Sequence, residues 1–253
     1  MKLAILSDVH ANLQALEAVL ADASSQGAEG YLSLGDHIGF NGDPAACLNL
    51  LMPLLSGAVQ GNHEAALLQR GVFRLALFVR MMNRTAAMLS REQKKWLGDL
   101  PLTTVREGLR LLHAPKRGKH WMRITTTESA AGAFSLYPEK RLFTGHTHRP
   151  ALFRKTADGL VEELGCMTPA PDCDEICIQL EPDSHYLINP GSVGQPRDGD
   201  PRAAYALYDT ETDTLQLRRL PYDVEQAIAG LARTGMPASF ADALRSGTSP
   251  TGD

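Results

Sequence analysis

Five short polar clusters in this chain carry side chains able to hold a metal ion, and each follows an apolar run. They are Asp8-Val9-His10, Gly35-Asp36, Gly61-Asn62-His63, His113, and Gly145-His146-Thr147-His148. The donors are carboxylate, carboxamide and imidazole, with no thiolate among them. Such an oxygen and nitrogen set suits Mn, Fe, Zn, Ni or Mg rather than Cu(I) or an iron–sulfur cluster. Asp8, His10, Asp36, Asn62, His113, His146 and His148 are too many for one tetrahedral ion and suit two divalent ions that share a bridge. Alternate side chains of an extended segment point the same way, so His146 and His148 are expected to converge on one point beyond their strand. One His-x-His pair would mean little alone. Five strand ends in succession point to a metal site, because ligands of open α/β sheets bind outside the carboxyl ends of the strands.

The elements behind these clusters are legible from periodicity. "KLAILS" at 2–7, "EGYLSLGD" and "GAVQGNHE" read as buried strands and their exits. "NLQALEAVLADASSQG" at 12–27 places Leu13, Leu16, Val19 and Leu20 at helical spacing. "DPAACLNLLMPLL" is a second helix, with Asp43 as N-cap and Pro44 in its first turn. This βαβαβ rhythm predicts a sheet covered by helices. Residues 64–100 read as largely helical, and "LRLLHAP" and "KRLFTGHTH" as two more strand-to-loop units. Beyond 150 the pattern turns to hairpins, and a last helix is expected over 223–245.

At 253 residues, with 43% apolar and 21% charged, the chain suits one large globular domain, taken as 1–245. The tail "SGTSPTGD" at 246–253 is expected to be disordered. A net charge of −4, with no basic stripe interleaved with aromatics, argues against a nucleic-acid partner. The apolar stretch at 72–82 is broken by Arg74 and Arg80 and is too short for a membrane span. Within 67–82 the apolar residues exceed one helix face and suit a core helix, a lid or a contact in a homo-oligomer. The apolar run after Met1 is shorter than a signal peptide needs, which leads us to expect a cytoplasmic protein. Cys47, Cys166, Cys173 and Cys177 lack the spacing of a structural zinc site and read as reduced, partly buried thiols.

The blocks "SDVHAN", "GDHIGFNGDP", "QGNHEAALL", "LLHAP" and "GHTHRP" resemble, in order and spacing, the five motifs of the calcineurin-like metallophosphoesterases. "YLINPGSVGQPRDGDPRAAYALYD" is similar to the C-terminal block of that superfamily's small bacterial phosphodiesterase branch. The resemblance implies an α/β fold of four layers, two mixed β-sheets face to face with helices outside. It implies that Asp8, His10 and His148 hold one metal, that Asn62, His113 and His146 hold the other, and that Asp36 bridges them. The implied activity is hydrolysis of a small phosphodiester, and of phosphomonoesters too, by a metal-bridging hydroxide. His63, next to ligand Asn62, is the candidate catalytic residue, as general acid or as imidazolium near the leaving oxygen. The alternatives are a nucleotidase or dinucleoside polyphosphatase, and a non-catalytic scaffold on the same fold.

Other residues carry weaker expectations. Arg149, Arg197 and Arg202 could grip a phosphate bidentately, or form solvent-facing ion pairs. Asn41, with Phe40, falls where "GFNGDP" departs from the glycine-tyrosine-glycine-proline pattern of the family, and is a candidate substrate contact. Asn189 and Ser192 could hydrogen-bond behind the metals or simply make a turn. His37 follows Asp36, points to the opposite face of an extended chain, and is not expected to ligate. "QGNHE" and "GDHIGFNG" lack the arginines of the protein serine/threonine phosphatases, which disfavours protein dephosphorylation.

Overall fold

The first strand, β1 (Lys2–Leu6), decides the layering, because both of its faces are apolar and buried. Leu3 and Ile5 pack with Leu32, Leu111, Phe143, Ile188 and Leu217. Ala4 and Leu6 pack with Leu16, Val19, Cys47 and Leu51. A strand buried on both sides needs a layer against each face. The computed structural model describes residues 1–68, 76–165 and 167–250 and supplies both layers.

The first half of the chain runs α1 (Leu13–Ser25), β2 (Gly30–Ser33), α2 (Pro44–Leu54), β3 (Leu55–Ala58), α3 (Asn62–Leu68), α4 (Ala76–Met88) and α5 (Arg91–Asp99). Then follow β4 (Thr103–Arg106), β5 (Leu109–Leu112), a short hairpin of β6 (Lys116–Arg117) and β7 (His120–Trp121), α6 (Thr127–Leu136) and β8 (Arg141–Phe143). The rest is β9 (Ala151–Lys155), β10 (Val161–Glu163), β11 (Glu175–Gln179), β12 (His185–Asn189), β13 (Ala203–Asp209), β14 (Thr214–Leu220), α7 (Val224–Thr234) and α8 (Ala238–Ser246).

Two six-stranded mixed sheets result, in the orders β11-β14-β13-β1-β2-β3 and β10-β9-β12-β8-β5-β4. In the first, β1, β2 and β3 are parallel and β13 joins β1 antiparallel. In the second, β5, β8 and β12 are parallel. The sheets face each other across the cluster holding Leu3 and Phe143. Helices α1 and α2 cover the outside of the first sheet. On the outside of the second, Ala130, Ala133 and Phe134 of α6 pack on Leu142, Phe153 and Leu187. This is the four-layer α/β arrangement that the resemblance implied. The parallel strands of both sheets end at one edge, so the loops after β1, β2, β3, β5 and β8 meet there.

Several elements differ from the sequence reading. The helix expected over 223–245 is two helices, because Gly235 takes a left-handed cap (φ 69°) and Pro237 cannot continue the ladder. The helical stretch 64–100 is broken into α3, α4 and α5 among the described residues. Helix α6, capped by a reciprocal Thr126–Ser129 pair, was not foreseen. Of the tail, Gly247 caps α8 and its carbonyl accepts the Gly199 N–H at 2.9 Å. Residues 251–253 lie outside the described residues, as does Cys166. Cys47 is buried, but Cys173 and Cys177 are exposed rather than partly buried, since edge strand β11 turns Ile176 and Ile178 inward and Cys177 outward. Of the apolar segment 67–82, residues 69–75 lie outside the described residues. Leu67, Met81 and Met82 belong to a core with Ile38 and Leu48.

Candidate metal centre

Left-handed backbone builds the centre. Asp8 (φ 52°), His10 (φ 47°), Asp36 (φ 53°), His146 (φ 71°) and His148 (φ 59°) all have positive φ. Residues other than glycine avoid this region at roughly 1–3 kcal/mol each, and it recurs where surrounding contacts hold a functional loop. Here the loops hold one another. The Asp8 and His10 N–H groups donate to Gly35 and Asp36 carbonyls at 3.1 and 2.9 Å, and Gly145 N–H donates to His113 at 2.9 Å. Gly194 N–H donates to the Asp8 carbonyl at 3.0 Å, and a Cβ at Gly194 would sit 1.8 Å from the Val9 carbonyl oxygen. Gly194→Ala is therefore expected to displace the Asp8–His10 loop and cost about 1–3 kcal/mol or more, read as a lowered midpoint in thermal denaturation. An unchanged midpoint would contradict this packing.

The same backbone corrects the expectation for His146 and His148. Strand β8 ends at Phe143, and the two histidines follow in left-handed turns rather than an extended pleat. Their rings part. His148 lies over His10 (centroids 4.8 Å apart), whereas His146 lies edge-on to His113 at 5.1 Å.

Two groups of donors form. In one, His148 Nε2 is 3.3 Å from Asp8 Oδ1 and 3.1 Å from His10 Nε2, and His10 Nε2 is 3.7 Å from Asp8 Oδ1. In the other, His113 Nε2 lies 2.9 Å from Asn62 Oδ1. Asp36 stands between them, its Oδ2 at 3.7 Å from His10 Nε2 and 3.4 Å from His113 Nε2. The other oxygen, Oδ1, accepts the His63 N–H at 2.8 Å. Donor atoms of Asp8, His10 and His148, of Asp8, Asp36 and His113, and of His10, Asp36 and His63 each fall within 4.8 Å of one another.

Hydrogen bonds on the far side of each ring decide which nitrogen faces inward. The Nδ1 atoms of His10, His113 and His148 lie 3.2, 2.9 and 2.6 Å from the carbonyls of Ile38, Leu34 and Gln195. A carbonyl only accepts, so each Nδ1 carries the proton and each Nε2 presents a lone pair to the centre. Burial lowers the pKa of His113 and His148, and that of His146 to about 3, which keeps these rings neutral. Burial opposes charge on Asp8 as well, yet its carboxyl is held well below its usual range. Asp36 is pushed well above, by burial and then by the negative charges of Glu64 and Asp8. Among the described residues, Asp8 Oδ1 is buried without a hydrogen-bond partner. Neutral imidazole lone pairs turned toward an unpartnered carboxylate oxygen are the donor chemistry of a divalent cation, and the residues fit one.

Behind this centre stands Glu64, which sequence reading did not single out. It is fully buried, and Oε2 accepts the N–H groups of Asp36 and Gly61 at 2.9 and 2.8 Å. Its Oε1 accepts the His37 N–H at 2.8 Å and lies 3.3 Å from His37 Nδ1. His37 is thus buried beneath the site, pointing away from it, with its Nε2 2.8 Å from Ser33 Oγ. Burial raises the Glu64 pKa, but these donors prevail and bring it to about 2. Ser7 Oγ donates to Asp8 Oδ2 at 2.6 Å, Ser192 Oγ to the Asp8 carbonyl at 2.8 Å, and Asn189 Nδ2 to Gly145 O at 2.9 Å.

The surface above the centre is a cleft of about 210 Å³ lined by Phe40, His63, Phe78, Arg123 and Arg197, among others. His63 stands between Phe40 and Phe78, ring centroids 4.6 and 5.1 Å away. Burial lowers its pKa well below 6.5. Arg197 enters the cleft, where burial brings its pKa to about 10. Its Nε has no hydrogen-bond partner among the described residues. Asn41 does not face the cleft. It is 2% exposed, and its amide donates to the carbonyls of His10 and Gly194 at 3.0 and 3.3 Å, so it braces the loop from behind. Arg149 is exposed and donates from Nε to the Arg197 carbonyl at 2.9 Å. Arg202 pairs with Asp200 and Asp174, away from the cleft. Phe78 falls in the apolar segment 67–82, for which a lid was one reading, whereas Arg123 was missed because a lone basic residue on an unplaced segment gives no local signal.

Comparison with known proteins agrees with this geometry. A metallophosphoesterase of Sphaerobacter thermophilus is 32% identical, with a TM-score of 0.83 over 98% of this chain and 99% of that one. A hypothetical protein of Pyrococcus horikoshii shares the fold at 17% identity, with a TM-score of 0.74 over 97% of this chain and 98% of that one. An uncharacterised protein of Methanocaldococcus jannaschii is 31% identical over 252 residues, covering 96% of both chains. Residues 1–213, which span all five donor-bearing loops and every strand but β14, match the calcineurin-like phosphoesterase superfamily domain. The chain belongs to that superfamily.

Proposed function

We propose that this protein is a metal-dependent phosphoesterase that uses two divalent ions to hydrolyse phosphodiesters. The observation that carries the reading is the position of Asp36, whose Oδ2 lies between the imidazoles of two donor groups. Asp8, His10 and His148 would hold one ion, Asn62, His113 and His146 the other, with Asp36 shared. When bound, such ions acidify a water molecule and offset charge on phosphoryl oxygens. The chain's own part is to bind, to position and to hydrogen-bond. Arg197, with an uncommitted Nε beside the cleft, would bind a phosphoryl oxygen and orient the ester. Phe40 and Phe78 exclude water from the face of His63. Burial keeps His63 neutral, so it would donate an N–H hydrogen bond to the departing oxygen, which takes its proton from solvent.

The test is elemental analysis of protein purified without added metal, followed by hydrolysis of bis(4-nitrophenyl) phosphate with Mn²⁺. Two ions per chain and metal-dependent turnover are the expected result. Chelation should abolish turnover and returning Mn²⁺ should restore it. His63→Ala should lower kcat about 10²–10³-fold while metal content stays at two. Loss of an ion in that variant would make His63 a ligand instead, a role its grouping with His10 and Asp36 permits. A protein that binds no divalent ion would end the reading.

A further inference from the structure

We propose that the hairpin of β6 and β7 is a recognition arm for an ester carrying at least one phosphate beyond the one cleaved, an inference that rests on the phosphoesterase reading. Residues 116–123, "KRGKHWMR", gather Lys116, Arg117, Lys119, His120 and Arg123, and no Asp or Glu occurs from Gly108 to Thr127. In a chain of net charge −4 this is a local reversal of sign. The strands pair Lys116 with Trp121 and Arg117 with His120, and Gly118 turns between them at φ 61°. All five basic residues are exposed. Among the described residues, Lys116, Arg117, Lys119 and Arg123 form no ion pair with a carboxylate.

The arm is tied to the metal centre. The Trp121 ring stands edge-on to His113 at 5.4 Å, with Lys116 Nζ 4.9 Å from the same ring. Arg123 carries the positive charge into the cleft, which it lines together with Arg197. A phosphodiester under attack bears one negative charge, and the centre with Arg197 already answers it. Uncompensated cations leading outward from that point attract further anionic groups, and a guanidinium fork suits a phosphate. The Trp121 ring is engaged by His113 and Lys116 rather than offered as a stacking platform, and the cleft of about 210 Å³ is small. A compact oligophosphate ester, of the nucleoside polyphosphate class, therefore fits better than a nucleic-acid strand.

Isothermal titration of the full chain with excess Mn²⁺ tests the arm. The probes are a nucleoside triphosphate with an imido β–γ bridge and the methyl ester of the corresponding nucleoside monophosphate. The triphosphate analogue is expected to bind at least tenfold tighter, with the difference shrinking as salt rises. An Arg117→Ser, Lys119→Ser double variant should narrow that ratio to threefold or less. Equal binding of the two probes, or a ratio untouched by the double variant, would overturn the proposal. So would a loss confined to a single-stranded oligonucleotide. Because titration needs no turnover, an inactive protein that still prefers the triphosphate defeats only the phosphoesterase reading, whereas an active one without the preference defeats only the arm.

Discussion

Asp36→Asn should lower kcat/KM for bis(4-nitrophenyl) phosphate by at least 10³-fold, about 4 kcal/mol of barrier, and reduce bound metal below two ions per chain. The substitution keeps shape and one acceptor oxygen, so the bond from the His63 N–H at 2.8 Å survives. It places an amide N–H₂ where Oδ2 now faces His10 and His113. An amide nitrogen has no lone pair for a cation, and the negative charge that would hold two cations together is gone. Unfolding does not explain the expected loss. Burial and the charges of Glu64 and Asp8 push the Asp36 pKa well above its ordinary value, so the ionised carboxylate is disfavoured where it stands. The metal-free variant should therefore denature at or above the midpoint of the metal-free parent. Full activity in the variant, or a variant with two ions and no activity, would contradict the bridging role.

Glu64→Gln should show the reverse pattern, a loss of stability that precedes any chemistry. The buried carboxylate accepts backbone N–H groups of Asp36, Gly61 and His37 and sits beside the His37 ring. A glutamine offers one oxygen. Whichever way the amide is turned, its N–H₂ faces at least one backbone N–H, which is left buried and unpaired. The expected cost is about 3–5 kcal/mol, or roughly 6–20 °C in the denaturation midpoint for a chain of this size. The pH dependence has a defined sign. The Glu64 pKa falls to about 2 from an ordinary 4.5, so the charged form stabilises the fold above 4.5, and that stability fades as pH drops toward 2. The gap between parent and variant should be full at neutral pH and close between pH 4.5 and 2. A gap independent of pH, or no gap, would remove Glu64 from its supporting role.

The donor residues were legible because each occupies the end of an apolar strand, and strand ends in α/β sheets share an edge. Asp8, His10, Asp36, Asn62, His113, His146 and His148 accordingly meet there. The alternation of Leu3 and Ile5 against Ala4 and Leu6 likewise foretold a strand buried on both faces. Glu64 shows where such reading stops. In a helix, a glutamate one residue past His63 reads as a solvated side chain, and only the return of the β2 loop over α3 buries it under three N–H groups. The 116–123 arm was hidden for a different reason. Net charge averages over the chain, and the expectation of no basic stripe interleaved with aromatics passed over "KRGKHWMR", five basic residues around Trp121.

What the sequence determined by itself is chemistry: which oxygen and nitrogen donors exist, and on which strand ends. Direction was decided only by the tertiary structure. His146 and His148 turn to different partners because both residues are held at positive φ, and Asn41 turns inward because the carbonyls of His10 and Gly194 are there to receive it. The physical reason is that donor character belongs to a side chain alone, whereas the aim of that side chain depends on backbone angles enforced by contacts with segments more than a hundred residues away.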